Sequence, residues 1–136
     1  MVTYGQAKTN PVPQRKFAMP DDMTTVADMK RAVARFVADR SWQQHHQPKH
    51  LAGSILIEAA ELMEHFQWDP VETGVQVAQD AKRMQGIREE IADVLAYTLS
   101  LANVLDIDLA DALEAKMLRN AQKYPVGHAG VARPKA

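Results

Sequence analysis

Glu58-Ala59-Ala60-Glu61 and Glu90-Ile91-Ala92-Asp93 set two pairs of acids, each three residues apart, inside apolar helix-forming runs. On a helix, positions i and i+3 stand one above the other, so each pair presents two carboxylates to one spot. Two such helices side by side would converge four carboxylates with no basic residue among them. Hard divalent cations such as Mg²⁺ suit that arrangement, because all-oxygen ligands leave positions for water and a substrate phosphate. The plain alternative is a solvated helix face, which would take in Glu64 and Glu89 as well. Against it, the stretch after Asp93 turns apolar through Tyr97, Leu101 and Val104. Four carboxylates near a core would repel and take raised pKa values unless a cation joined them.

A second group is basic. Lys116, Asn120 and Lys123 fall at i, i+4 and i+7, with Arg119 and Tyr124 beside them. Cations in a last helical turn complement the helix dipole, which is a sufficient structural reason for them. Beside a metal site, the same face could clamp a phosphate chain. A third group is aromatic: Trp42, His46, Trp68 and Tyr97 include both tryptophans of a chain with 6% aromatics. Side chains of this kind, apolar with a polar handle, pack cores but also stack on a nucleobase. Trp42 and Trp68 bracket one helix at its two ends, so they need not share a pocket within one subunit. No Gly-rich phosphate loop, Ser/His/Asp arrangement or cysteine is present. Any phosphate chemistry must therefore run on metal and water.

The elements that position these groups read as helices, with no convincing strand. Apolar residues make up 46% of 136 positions, and so few aromatics favour helix-on-helix packing in a single domain. Helix one is expected from an N-cap at Thr24 or Thr25 to about Arg40, with Val26, Met29, Val33, Phe36 and Val37 as its buried stripe. Pro48 opens helix two, which should reach about Gln67 on a stripe of Leu51, Ile55, Leu62 and Phe66. Helix three is expected over Ile87 to Leu105, with residues 76–84 as a separate short helical piece. Asp108 caps helix four, whose apolar face is Leu109, Ala112, Leu113 and Met117, and Pro125 follows its end.

The organisation read from this is a Pro-rich flexible arm at 1–22, an all-α domain at 23–125 and a flexible tail at 126–136. A net charge of −1 argues against binding a nucleic-acid polymer or an anionic membrane by bulk charge. The N-terminus lacks an apolar targeting stretch and no run approaches spanning length, so a soluble cytoplasmic protein is expected.

Four blocks in order now carry a resemblance. They are Arg40-Ser-Trp42-Gln-Gln-His-His46-Gln-Pro48, then Glu58-x-x-Glu61-Leu-x-Glu64-x-Phe66-Gln67-Trp68, then Glu89-Glu90-x-x-Asp93-Val-Leu-x-Tyr97, then Lys116-x-x-x-Asn120-x-x-Lys123-Tyr124-Pro125. Together, over about residues 26–125, they resemble the MazG-like all-α nucleoside triphosphate pyrophosphohydrolases. The Trp42, Trp68 and Tyr97 positions look most like the dCTP pyrophosphatase branch. The arm before Met23 has no counterpart in that pattern.

The resemblance implies a four-helix MazG-like bundle and Mg²⁺-dependent cleavage between the α and β phosphates, with Mn²⁺ as a substitute ion. Glu58, Glu61, Glu90 and Asp93 would be the metal ligands and catalytic carboxylates, one glutamate also orienting the attacking water. Lys116, Asn120, Lys123 and Tyr124 would meet the triphosphate, and Trp42, His46, Trp68 and Tyr97 the base and sugar. It also implies a homo-oligomer, a dimer of dimers, with sites between subunits. Apolar residues on several faces of helix two, such as Leu56, Ile57 and Met63, agree with that. The substrate would be dCTP or a modified cytosine nucleotide. The alternatives are a broad-specificity or phosphoribosyl-ATP pyrophosphohydrolase, and a non-catalytic helical metal-binding or interaction module. A di-iron carboxylate bundle is disfavoured because no Glu-x-x-His pair is present.

Overall fold

The computed structural model of the protein describes residues 19–70 and 76–127. The segments read as an arm before Met19 and as a tail after Gly127 lie outside the described residues. Four helices follow in order: α1 (Val26–Asp39), α2 (Pro48–Glu64), α3 (Ala81–Val104) and α4 (Leu109–Lys123). No strand occurs among the described residues. α3 is the central element, with α2 packed along it, α1 against it and a 3₁₀ turn at Gln76–Gln79 beside it.

The helix starts obey local chemistry. Thr25 accepts from the Asp28 backbone N–H while the Asp28 carboxylate accepts from the Thr25 N–H, a complete capping box. Pro48 occupies the first turn of α2, where a missing N–H costs nothing. Asp80 caps α3 through Arg83 N–H, and Asp108 caps α4 through Asp111 N–H.

Two helix ends turn through left-handed residues that are not glycine. At the end of α1, Ser41 has φ 54° and Trp42 N–H bonds the Val37 carbonyl at 3.0 Å. At the end of α3, Asp106 has φ 52° and Ile107 N–H bonds the Ala102 carbonyl at 2.9 Å. Both are six-to-one closures of the Schellman kind, which give the last carbonyls a partner. The two corners are joined across the fold. Lys30 Nζ donates to the Ile107 carbonyl at 2.7 Å, and Asn103 Nδ2 donates to the Lys30 carbonyl at 3.0 Å.

Two expected boundaries move. α2 ends at Glu64, not Gln67, because Phe66 N–H bonds Met63 and the chain tightens into turns. The Arg83 guanidinium, which takes the His65 carbonyl and pairs with Asp69, holds that turn. α3 begins at Ala81, so it takes in residues 81–84 of the piece read as separate while Gln76–Gln79 forms a short 3₁₀ turn of its own, and Gly86 is an interior residue.

The core is thin. Val37, Leu51, Val77, Ile87, Leu99 and Ala102 are buried, yet no large side chain among the described residues is fully enclosed. Phe36, expected in the buried stripe of α1, is half exposed and packs against Trp42. Along α4, Leu113, Met117 and Leu118 stay largely exposed. With α1 and α3, the first half of α4 forms an open apolar groove of about 580 Å³, bordered by Met29, Leu95, Leu99 and Leu113. No described helix is long and apolar enough to cross a membrane.

Candidate metal and nucleotide site

Mid-helix positions on the two most closely packed helices bring three of the four acids together. Glu58 of α2 and Glu90 and Asp93 of α3 each offer a carboxylate oxygen, and these oxygens all lie within 4.8 Å of one another. Glu58 and Glu90 are half-buried and Asp93 is exposed. Glu61 stands one turn further along α2, outside this trio but close enough to act on Glu58. None of the four carboxylates has a hydrogen-bond or ion-pair partner among the described residues.

The electrostatic consequence appears at Glu58. Burial, followed by repulsion from Glu61, Asp93 and Glu90, raises its carboxyl pKa above the ordinary value. A divalent cation would reverse that balance by supplying the missing countercharge. Unpartnered, closely set carboxylate oxygens, two of the three half-buried, are the donor set such an ion takes. The chain therefore carries an acidic cluster fit to hold a metal.

The α3 face bearing Glu90 and Asp93 continues through Tyr97, Ser100 and Val104, at steps of three and four residues. Tyr97 is half-buried and Ser100 buried. Ser100 opens onto a pocket of about 180 Å³ between α1, α3 and the 3₁₀ turn Gln43–His45. Val33, Val37, Gln43, His46 and Asn103 also line it. Ser100 lies about 10 Å along the helix axis from Asp93, at 1.5 Å per residue. Of the pocket residues, only His46 is a site residue expected from the motifs. Ser100 and Asn103 follow Asp93 at seven and ten positions, a spacing that could have marked them.

The other expected residues are more dispersed. Trp42 is half exposed, meeting Phe36 edge-on with ring centroids 5.8 Å apart, and the Arg40 guanidinium lies 3.6 Å from the Phe36 centroid. Trp68, in the turns that follow α2, is 87% exposed. On α4, Asn120 is half-buried while Lys116, Lys123 and Tyr124 face solvent, Lys123 Nζ lying 5.2 Å from the Tyr124 ring. Among the described residues no bond joins this cationic face to the carboxylates.

With the acids and the adjoining pocket in place, similarity to known proteins becomes informative. The MazG-like family model matches residues 54–133, which span both acidic pairs and α4. The chain belongs to the MazG-like family. Among family relatives, dCTP pyrophosphatase 1 of Rattus norvegicus is 42% identical over 103 residues, covering 75% of this chain. That of Bos taurus is 38% identical over 102 residues. The chain spans 60% of the length of these curated relatives. A pyrophosphatase crystal structure from Archaeoglobus fulgidus is 40% identical with a TM-score of 0.67, covering 73% of this chain and 91% of that one. The MazG-like all-α fold expected from the motifs is thus the fold observed.

Proposed function

We propose that the protein is a Mg²⁺-dependent nucleoside triphosphate pyrophosphohydrolase acting on dCTP or a modified cytosine deoxynucleotide. The observation that carries this reading is one α3 face with unneutralised carboxylates at one point and, about 10 Å further on, a small, largely apolar pocket edged by Gln43, His46, Ser100 and Asn103. That span suits a nucleotide with its anhydride at the acids and its base in the pocket. Similarity to proteins named dCTP pyrophosphatase supports the substrate class.

Glu58, Glu90 and Asp93 would hold the metal, with Glu61 completing the set. When bound, the ion would supply charge neutralisation at the triphosphate and Lewis acidity toward water. The chain's own residues do the rest. A glutamate of the cluster accepts the proton as water attacks the α phosphorus and the α–β anhydride bond breaks, leaving a monophosphate and pyrophosphate. Lys116, Asn120, Lys123 and Tyr124 bind the phosphates that depart, since such transfers depend chiefly on positioning and neutralisation. His46 offers the base a ring nitrogen, and Tyr97 and Trp42 border the sugar and base. In this reading Trp68, which stands 87% exposed, serves a neighbouring subunit's site. The exposed Leu56, Ile57, Met63 and Leu113 are the apolar surface that a homo-oligomer would cover.

The test is pyrophosphate release from a panel of ribo- and deoxynucleoside triphosphates, with Mg²⁺ and with EDTA. Mg²⁺-dependent release from dCTP or its 5-substituted forms, with little from purines, is expected. Release from another triphosphate would keep the reaction and overturn the substrate. Absence of release from all of them would return the chain to a non-catalytic metal-binding module.

A further inference from the structure

α2 and α3 meet closely one turn away from the acidic cluster, at a contact that uses no acid. Glu58 and Glu61 of α2 and His65, which caps its end, recur at i, i+3 and i+7; on α3, Gly86, Glu90 and Asp93 recur at i, i+4 and i+7. The His65–Gly86 contact thus extends the two faces that bear the carboxylates. A Cβ built on Gly86 would lie 2.5 Å from His65 Cε1 and 2.9 Å from Nε2. The imidazole therefore stands on bare helix backbone, in space that any other residue would fill. Glycine inside a helix is less favourable than alanine, so helix formation alone does not account for it.

The His65 main chain is also tied down. Arg83, three residues before Gly86, donates to the His65 carbonyl and pairs with Asp69. Backbone and ring of one residue are thus both fixed to α3.

We propose that His65 and Gly86 form a positioning pair that sets the spacing and register of α2 on α3, and through them the separation of Glu58 from Glu90 and Asp93. The functional consequence rests on the metal-site reading above; the spacing itself does not. Ordinary contact begins at 3.4 Å, so a methyl group at Gly86 demands roughly 1 Å of separation if the ring keeps its place. Ligand constellations tolerate only about 0.5 Å of displacement, so the shift is large on the scale of the site.

The experiment compares Gly86→Ala, His65→Ala and the double variant by crystal structure and by Mn²⁺ titration followed by electron paramagnetic resonance. Gly86→Ala is expected to widen the Glu58–Asp93 separation and weaken Mn²⁺ binding about tenfold, as loss of a supporting contact does elsewhere. The double variant, with a methyl in the space the ring leaves, should restore both. A ring that swings aside in Gly86→Ala, with separation and Mn²⁺ affinity unchanged, overturns the proposal. Should Gly86→Ala fail to fold, recovery in the double variant supports the pair and continued failure overturns it. Absence of Mn²⁺ binding by the native protein would defeat the metal-site reading, while the crystal structures would still decide the pair.

Discussion

Glu58→Gln tests the electrostatics of the acidic face most directly. Glu58 has two carboxylates within 4.8 Å and no compensating donor or cation among the described residues. In water, unit charges at that distance repel by about 0.9 kcal/mol, and screening at physiological salt leaves roughly half. Two such neighbours, with a smaller share from Glu61, give about 1 kcal/mol, and partial burial adds to it. Replacing the carboxylate by an amide of the same shape should therefore stabilise the metal-free protein. For a domain of this size the melting temperature should rise by roughly 4–8 °C per kcal/mol.

The pH dependence fixes the sign. Glu58 has a raised pKa in the folded state, so the native protein binds its proton more tightly than the unfolded chain does. The favourable contribution of protonated Glu58 is complete below its unfolded value and is lost as pH rises through the folded one. In EDTA, the variant should thus melt above the native protein at neutral pH, and the gap should close toward about pH 4. Added Mg²⁺ should reverse the order, since ligand at a hundred times its Kd stabilises by about 2.7 kcal/mol and the variant lacks one ligand. Thermal melts followed by circular dichroism across pH 4–8 measure all of this. A variant that melts lower than the native protein in EDTA at neutral pH, or a gap that ignores pH, would refute the repulsion argument.

The remaining expectations are independent of that one. Glu61→Gln and Asp93→Asn should each abolish triphosphate turnover while the far-ultraviolet spectrum stays helical; full activity in either purified variant sinks the proposed reaction. Arg83→Ala removes the Asp69 pair, the bond to the His65 carbonyl and a guanidinium 5.6 Å from the Phe66 ring, and should lower the midpoint of urea denaturation; an unchanged midpoint would show that these contacts do not hold the turn. Ser41→Gly relieves a left-handed residue and should raise stability by roughly 1 kcal/mol, read in the same way. If the proposed homo-oligomer forms through the exposed apolar face of α4, Leu113→Glu and Met117→Glu should lower the mass seen by analytical ultracentrifugation, and an unchanged mass would overturn that use of the face.

Much of the fold was legible because its starts are local. Thr25, Pro48 and Asp108 cap or open helices by chemistry confined to four residues, and the structure places the three starts there. The start of α3 was misplaced for the opposite reason. Lys82, Arg83 and Gln85 interrupt the apolar period and Gly86 is a poor helix former, yet the helix runs through them. What compensates is tertiary, namely Arg83 gripping Asp69 and His65, and the His65 ring filling the space a side chain would take. Asp80 was the one local sign of that start. At the site, the i, i+3 spacing put Glu90 and Asp93 on one face of α3, whereas the packing of α2 on α3 brings Glu58 to them and leaves Glu61 outside the trio. Spacing within a helix says nothing about which residues another element covers. The pocket formed by Gln43, Ser100 and Asn103 was therefore not foreseen.

The places where local rules are broken are not scattered. Gly86 weakens α3 one turn before Glu90, and the carboxylates repel on the next two turns. Further along the same helix the small pocket opens, and the two left-handed corners flank it. Ser41 precedes Gln43 and His46 on one wall; Asp106 follows Asn103 and Val104 on the other. Each left-handed residue other than glycine costs about 1–2 kcal/mol, and the helical glycine about 1 kcal/mol. Alternatives without these costs were available to the sequence: Gly at either corner, Ala at position 86, an amide at position 58. A chain selected for stability alone would use them, and consistency across levels is what stability selects for. Costs gathered on one face of α3 and at the two corners beside its pocket, with ordinary capping elsewhere, argue that this region is shaped by what it binds. The same reasoning makes the exposed α4 cations informative. They lie outside the costly face, so they should affect phosphate affinity while leaving metal affinity near its native value.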